Sequence, residues 1–165
     1  MYSTTTTYRP DDLVTREEAA KLVGQLFEVL AFPQTDKGFI CTFTDSAKFD
    51  PTLASHIAKV CKRGIFRGND KTQEYMPHDN LTKGQILAVL TRILEGKMSD
   101  ETATPRRIEY YVKMKQIGVT NEANLANVDL PSTREEIALL IYRFKNLIVQ
   151  PDGNSNVEKL QSQLS

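Results

Sequence analysis

The chain has 165 residues, with 21 Lys and Arg against 21 Asp and Glu and a formal net charge of +0. That length suits one compact domain or a tightly packed set of repeats, and the charge balance argues against a general nucleic-acid binder. No stretch is long and apolar enough to span a membrane, so no membrane span is expected.

Residues 1–7 are polar and threonine-rich and read as a flexible segment, with no apolar run of the kind a secretory leader needs. An envelope role would then require the chain to be a processed product or a fragment. Next comes Tyr8-Arg9-Pro10-Asp11-Asp12-Leu13-Val14, an aromatic–proline–apolar lead-in, and then Thr15-Arg16-Glu17-Glu18. Thr15 is expected as an N-cap, with Glu18 reaching back to close a capping box. Ala19, Leu22, Val23, Leu26, Phe27 and Leu30 follow on one helical face.

A linker with Pro33 and Gly38 leads to Phe43-Thr44-Asp45. Pro51 through Arg63 then reads as a helix with Leu53, Ile57, Val60 and Cys61 inward, stopped by Gly64. The lead-in recurs as Tyr75-Met76-Pro77-His78-Asp79-Asn80-Leu81. A capped helix recurs as Thr82-Lys83-Gly84-Gln85 with Ile86, Val89, Leu90, Ile93 and Leu94. Pro105 through Ile117 repeats the opening helix, with Ile108, Tyr111, Val112 and Met114 inward and Gly118 as its stop. After a lead-in that has lost the aromatic, Thr133-Arg134-Glu135-Glu136 opens a third helix with Ile137, Leu140, Ile141, Phe144 and Ile148. Past Gln150 the composition turns to linker. Val157, Leu160 and Leu164 would make a short amphipathic helix, expected to fray because short isolated helices are marginal in water.

The repeat places a cation, Arg16, Lys83 or Arg134, at the first position of each capped helix. There it opposes the positive end of the helix field, and three such placements point to a site for an anion. The competing reading is an exposed cation offset by the acids beside it. It suits Arg16 and Arg134 better than Lys83, whose neighbours are Gly84 and Gln85. The basic run from Lys59 to Arg92 reads equally as a polyanion-attracting stretch or as a solvated helix face.

Cys61 reads as a buried small hydrophobe. A bridge to Cys41 is the alternative in an oxidising compartment. Tyr8 and Tyr75 read first as packing residues, with sugar stacking as the alternative, and Asp45 as a cap or turn residue. His56 and His78 have no nucleophile or further ligand at a defensible spacing. Neither a catalytic residue, a metal site nor a cofactor is expected.

The ordered elements resemble the S-layer homology domain. Phe43-Thr44-Asp45, the helix from Pro51, Gly64-Ile65-Phe66-Arg67-Gly68, Tyr75-Met76-Pro77 and Thr82-Lys83-Gly84-Gln85 match its pattern in the second unit. Gly118-Val119 and Thr133-Arg134-Glu135-Glu136 match in the third, and Thr15-Arg16-Glu17-Glu18 matches the closing half of a first. The resemblance covers about residues 8–149, in units of about 8–32, 39–97 and 101–149, with 150–165 a linker and tail. It implies an all-α, mostly helical fold with long loops in a pseudo-threefold assembly. It also implies a non-catalytic module at the cell surface whose grooves bind anionic wall polysaccharide or peptidoglycan. The contacts it implies are Arg16, Lys83 and Arg134 and the glycine turns at Gly64 and Gly118; Arg67 and Tyr75 join them as candidate ligand-binding residues. The chain departs from the pattern where Pro51 and Thr52 replace a His-Trp pair, where Lys83 replaces arginine, and in lacking the first opening half-unit. The alternative expectation is a protein–protein interaction or assembly module on the same helices, with envelope or self-assembling subunits as partners.

Overall fold

In the computed structural model, which describes residues 9–30, 38–69, 71–95, 106–149 and 155–164, three long helices start at the three threonines. They are α1 (Arg16–Leu30), α3 (Lys83–Glu95) and α5 (Arg134–Ile148). Two opening helices, α2 (Ala54–Lys62) and α4 (Arg106–Gln116), precede α3 and α5, and α6 (Val157–Leu164) closes the chain. The described residues contain isolated β-bridges and no strand, so the fold is all-α as expected.

All three capping boxes form. Glu18, Gln85 and Glu136 backbone N–H groups donate to Thr15, Thr82 and Thr133 Oγ1 at 3.4, 3.2 and 3.2 Å. The return bonds, from each threonine N–H to the third residue's Oε1, measure 3.3, 2.9 and 3.4 Å. Both glycine turns form as well: Gly64 and Gly118 have φ of +68° and +87°, the left-handed conformation a helix stop requires.

The three lead-ins close a ring. Val14 N–H donates to Ser132 O at 3.1 Å, Ser132 N–H to Leu81 O at 2.8 Å, and Leu81 N–H to Val14 O at 2.8 Å. These residues stand one place before each threonine, so the ring is an approximate threefold axis built from backbone. A second ring surrounds it. Arg16, Lys83 and Arg134 N–H groups donate to Asp79, Leu130 and Asp12 carbonyls of the next lead-in at 2.9, 3.1 and 2.8 Å. Helix N-termini leave N–H groups orphaned. Here each neighbouring lead-in takes up the first of them.

Around this axis α1 packs on α2 and α3 on α4. The core runs through Val23, Phe27, Ile57, Tyr75, Leu81, Leu90, Met114, Ile137 and Phe144. Two inward assignments move outward. Leu22 is exposed because α1 meets α2 through small residues, Ala20 and Gly24; a Cβ on Gly24 would stand 3.4 Å from His56 Nδ1. Val112 is exposed, and the neighbouring Tyr110 is buried instead, its ring 5.5 Å from the Arg92 guanidinium carbon.

The tail does not fray. Leu160 is buried, Gln161 Nε2 donates to Leu94 O at 2.6 Å, and Gln116 Nε2 donates to Gln163 O at 2.8 Å. Docking against α3 and α4 supplies the tertiary support that an isolated helix lacks. Cys41 and Cys61 form a disulfide, so the bridge replaces the free buried thiol. Tyr8, Pro33 and Pro105 lie outside the described residues.

Candidate functional site

The three helix-opening cations meet two fates, and the third residue of the next capping box decides which. Glu18 caps α1 with Oε1 and takes Arg134 Nη2 on Oε2 at 2.5 Å. Glu136 caps α5 with Oε1 and takes Lys83 Nζ on Oε2 at 2.8 Å, with Glu122 Oε2 a further 3.7 Å partner of the same lysine. By the same rotation Arg16 would meet Gln85. Gln85 Oε1 accepts from Thr82, and the amide has no second oxygen to offer a cation.

Arg16 therefore folds inward. It is 7% exposed; its Nε donates to Tyr75 O at 2.8 Å and its Nη2 to Arg67 O at 3.0 Å. Its guanidinium carbon lies 4.7 Å from the Phe66 ring centre and 5.0 Å from that of Tyr75. Burial lowers its pKa, while Tyr75, Asp79 and Asp45 pull it back up. An arginine stays charged through such shifts, so Arg16 acts as a buried cationic brace. Tyr75 is 0% exposed and donates its hydroxyl to Arg16 O at 3.1 Å, so its ring has no face left for a sugar. Burial raises the Tyr75 pKa and keeps the phenol neutral. Asp45 accepts from Tyr75 and Met76 N–H at 3.0 and 2.8 Å and holds this loop, in keeping with a turn role.

The surroundings of the three cations differ. Arg16 lies beside the Gly64–Gly68 turn. That turn is covered: a Cβ at Gly64 would stand 2.2 Å from Phe39 Cε2, and the Arg67 guanidinium carbon lies 4.3 Å over the Phe39 ring. The Cys41–Cys61 disulfide ties the strap that carries Phe39 to α2. Among the described residues nothing comes within 4 Å of a Cβ placed at Gly118, and Lys83 lies beside the Thr120–Glu122 loop that follows the Gly118 turn in sequence. A cleft of about 170 Å³ opens at this position, between Lys83 and Leu87 on α3, the Thr120–Glu122 loop, and Glu136, Leu139, Leu140 and Arg143 on α5. Arg134 is 42% exposed; its backbone N–H donates to Asp12 O of the first lead-in and its guanidinium meets Glu18.

The structure thus places Lys83 in an open cleft with the Thr120–Glu122 loop, with Gly118 just before that loop and outside the cleft lining, and groups Arg16, Arg67, Tyr75 and Gly64 in a closed region. Lys83 is raised above its ordinary pKa, chiefly by its hydrogen bond to Glu136. Glu136 is lowered: burial pushes it up, and the hydrogen bond and charge of Lys83 outweigh that. Glu122 is lowered first by the Asn124 N–H, then by the Asn127 side chain. Within the basic run Lys59 pairs with the exposed Glu28 at 2.6 Å, Arg92 Nη1 donates to Ile65 O at 3.0 Å, and Lys62 and Lys71 are exposed. His78 Nε2 stands 3.4 Å from Glu17 and His56 beside Gly24, and no cluster of metal-ligating side chains occurs among the described residues.

Arg143 is the cleft residue that sequence reasoning passed over. Its signal was present: Arg92 and Arg143 each stand ten places after their threonine, at 82 and 133.

No protein-family model matches the chain. The chain is similar to an amylopullulanase of Thermoanaerobacterium thermosulfurigenes, 26% identical over 87 residues. Those residues are 53% of this chain and 5% of the enzyme, so the chain spans a small fraction of that protein's length. Among the described residues no helix is long and apolar enough to cross a membrane.

Proposed function

We propose that this chain is a non-catalytic module that binds an acidic cell-wall glycan and tethers what it is attached to at the cell surface. The observation that carries the reading is the Lys83 cleft, where a helix-opening cation, the Thr120–Glu122 loop after an uncovered glycine turn, and an α5 wall meet. The likeness of the ordered motifs to the S-layer homology domain supports it, as does their arrangement around an approximate threefold ring. Arg16 and Tyr75 serve this reading as supports of the neighbouring turn, and Arg134 as a clamp between the first and third units.

Co-sedimentation with purified cell-wall sacculi tests it. Retention that falls when acidic polymer is extracted from the sacculi, and that soluble acidic glycan competes away, is the expected result. Equal retention on extracted sacculi, or none on intact ones, would refute the reading.

One observation favours a second reading, an assembly module. At the ninth position after each threonine, Gly24 faces α2 and Thr91 is buried, whereas Tyr142 on α5 is 63% exposed, next to the exposed Leu139. Concentration-dependent self-association in light scattering, lost in Tyr142→Glu, would support it.

A further inference from the structure

We infer that Arg143, and none of the three helix-opening cations, takes the acidic group of the guest, and that the described residues offer one working cleft. The inference rests on the wall-glycan reading and assigns its specificity to a residue outside the repeated threonine motif.

The first argument is how the cations are used. Arg134 is paired with Glu18, Arg16 is spent on two carbonyls, and Lys83 is shared between Glu136 and Glu122. Arg143 lines the same cleft half-buried, with no ion pair or hydrogen bond among the described residues. Its repeat counterpart Arg92 donates to Ile65 O at 3.0 Å and lies over Tyr110, so one offset yields a brace in one unit and an unengaged guanidinium in the next. A half-desolvated guanidinium gains most from a planar two-oxygen acceptor, which a carboxylate supplies.

The second argument is the charge of the wall. Lys83 and Arg143 stand against Glu122 and Glu136, so the cleft is formally neutral. A chain of phosphates would be driven onto two carboxylates. A sugar with one carboxylate can place it on Arg143 and turn hydroxyl donors toward the glutamates, with its C–H face on Leu139 and Leu140. The 170 Å³ volume is below the roughly 300–1,000 Å³ of pockets that engulf a drug-sized ligand. It fits one ring of a longer glycan. The third argument is the closed counterpart: Phe39 fills the Gly64 turn, held by the disulfide, while the Gly118 turn is clear.

Three probes test this: tri-galacturonate, its methyl ester, and linear polyphosphate, each titrated while the Arg143 side-chain N–H signal is followed by NMR. The inference expects tri-galacturonate to shift that signal with one guest per chain. The ester and polyphosphate should each bind at least tenfold more weakly. Arg143→Ala, and to a lesser degree Arg143→Lys, should weaken tri-galacturonate tenfold or more at unchanged melting temperature. Wild-type affinity in folded Arg143→Ala, two guests per chain, or tighter polyphosphate binding would each overturn it. Sacculus retention that survives Arg143→Ala would sink this inference and leave the wall reading standing. Tri-galacturonate binding at Arg143 without sacculus retention would do the reverse.

Discussion

Glu18 and Arg134, 116 residues apart in sequence, meet at 2.5 Å and join the first capped helix to the last. Both side chains are partly exposed, so the pair itself is worth about 0.2–1 kcal/mol. Glu18 also closes the α1 capping box. Glu18→Gln, which keeps the cap as Gln85 does, should therefore cost under about 1 kcal/mol. Glu18→Ala should cost about 1 kcal/mol more, the usual loss of a cap. Urea unfolding of the two variants, with Arg134→Ala to complete the cycle, checks the split.

Arg16→Ala should behave unlike Arg134→Ala. It removes two hydrogen bonds from a buried charge and two ring contacts, and leaves the Tyr75 and Arg67 carbonyls to find new donors. A loss of about 3 kcal/mol or more is expected, since a hydrogen bond to a charged group contributes about 1.5–3 kcal/mol. A loss as small as that of Arg134→Ala would mean the brace is not formed in solution.

Ser132 is the odd member of the central ring, where the other two positions hold Val14 and Leu81. Its hydroxyl is buried without a partner among the described residues. A buried unmatched polar group costs about 1–3 kcal/mol, while its backbone bonds do not depend on the side chain. Ser132→Ala should stabilise the protein by about 1 kcal/mol, seen as a higher urea midpoint at unchanged slope.

The Lys83–Glu136–Glu122 cluster gives a pH signature. Glu136 and Glu122 are held below their ordinary value of 4.5, so in acid the unfolded chain binds more protons than the folded one. Their contribution is present above that value and lost as pH falls through the lower folded pKa. Lys83 is held above its ordinary 10.5, so its contribution is present below that and lost as pH rises through the folded value. Glu136→Gln keeps the cap and removes the charge; it should flatten both limbs of the stability–pH curve. A curve unchanged from wild type would contradict the pairing.

Reduction of Cys41–Cys61, 20 residues apart in sequence, should cost about 3 kcal/mol from the lost loop constraint. It should also raise hydrogen exchange at Gly64–Arg67 as Phe39 comes free. Exchange that is unchanged on reduction would show that the strap is held by packing alone.

The three capped helices and both glycine stops were legible because each signal is local: a threonine with Glu or Gln three places on, and a glycine after an apolar stripe. The ring at Val14, Leu81 and Ser132 was not, because it is made by backbone groups far apart in sequence and leaves no side-chain signature at Ser132. The repeated cations were visible, but the helix field suggested empty N-termini. Their N–H groups are in fact filled by neighbouring lead-ins, and Glu18 and Glu136 spend their second oxygens on Arg134 and Lys83. The change from acid to amide at Gln85 was in plain view. Its consequence, the inward turn of Arg16, required knowing which helix follows which around the axis. The docking of α6 is not legible in sequence because Leu160 alone does not reveal the α3 surface it covers.

The most direct test of the account is a backbone amide shift map recorded while solubilised acidic wall glycan is added. The account predicts shifts that saturate and centre on Asn121, Leu139 and Arg143, with Gly64 and Tyr75 undisturbed. Shifts centred on the Gly64–Tyr75 side or on Arg134, or no shift at any concentration that saturates sacculus binding, would contradict it.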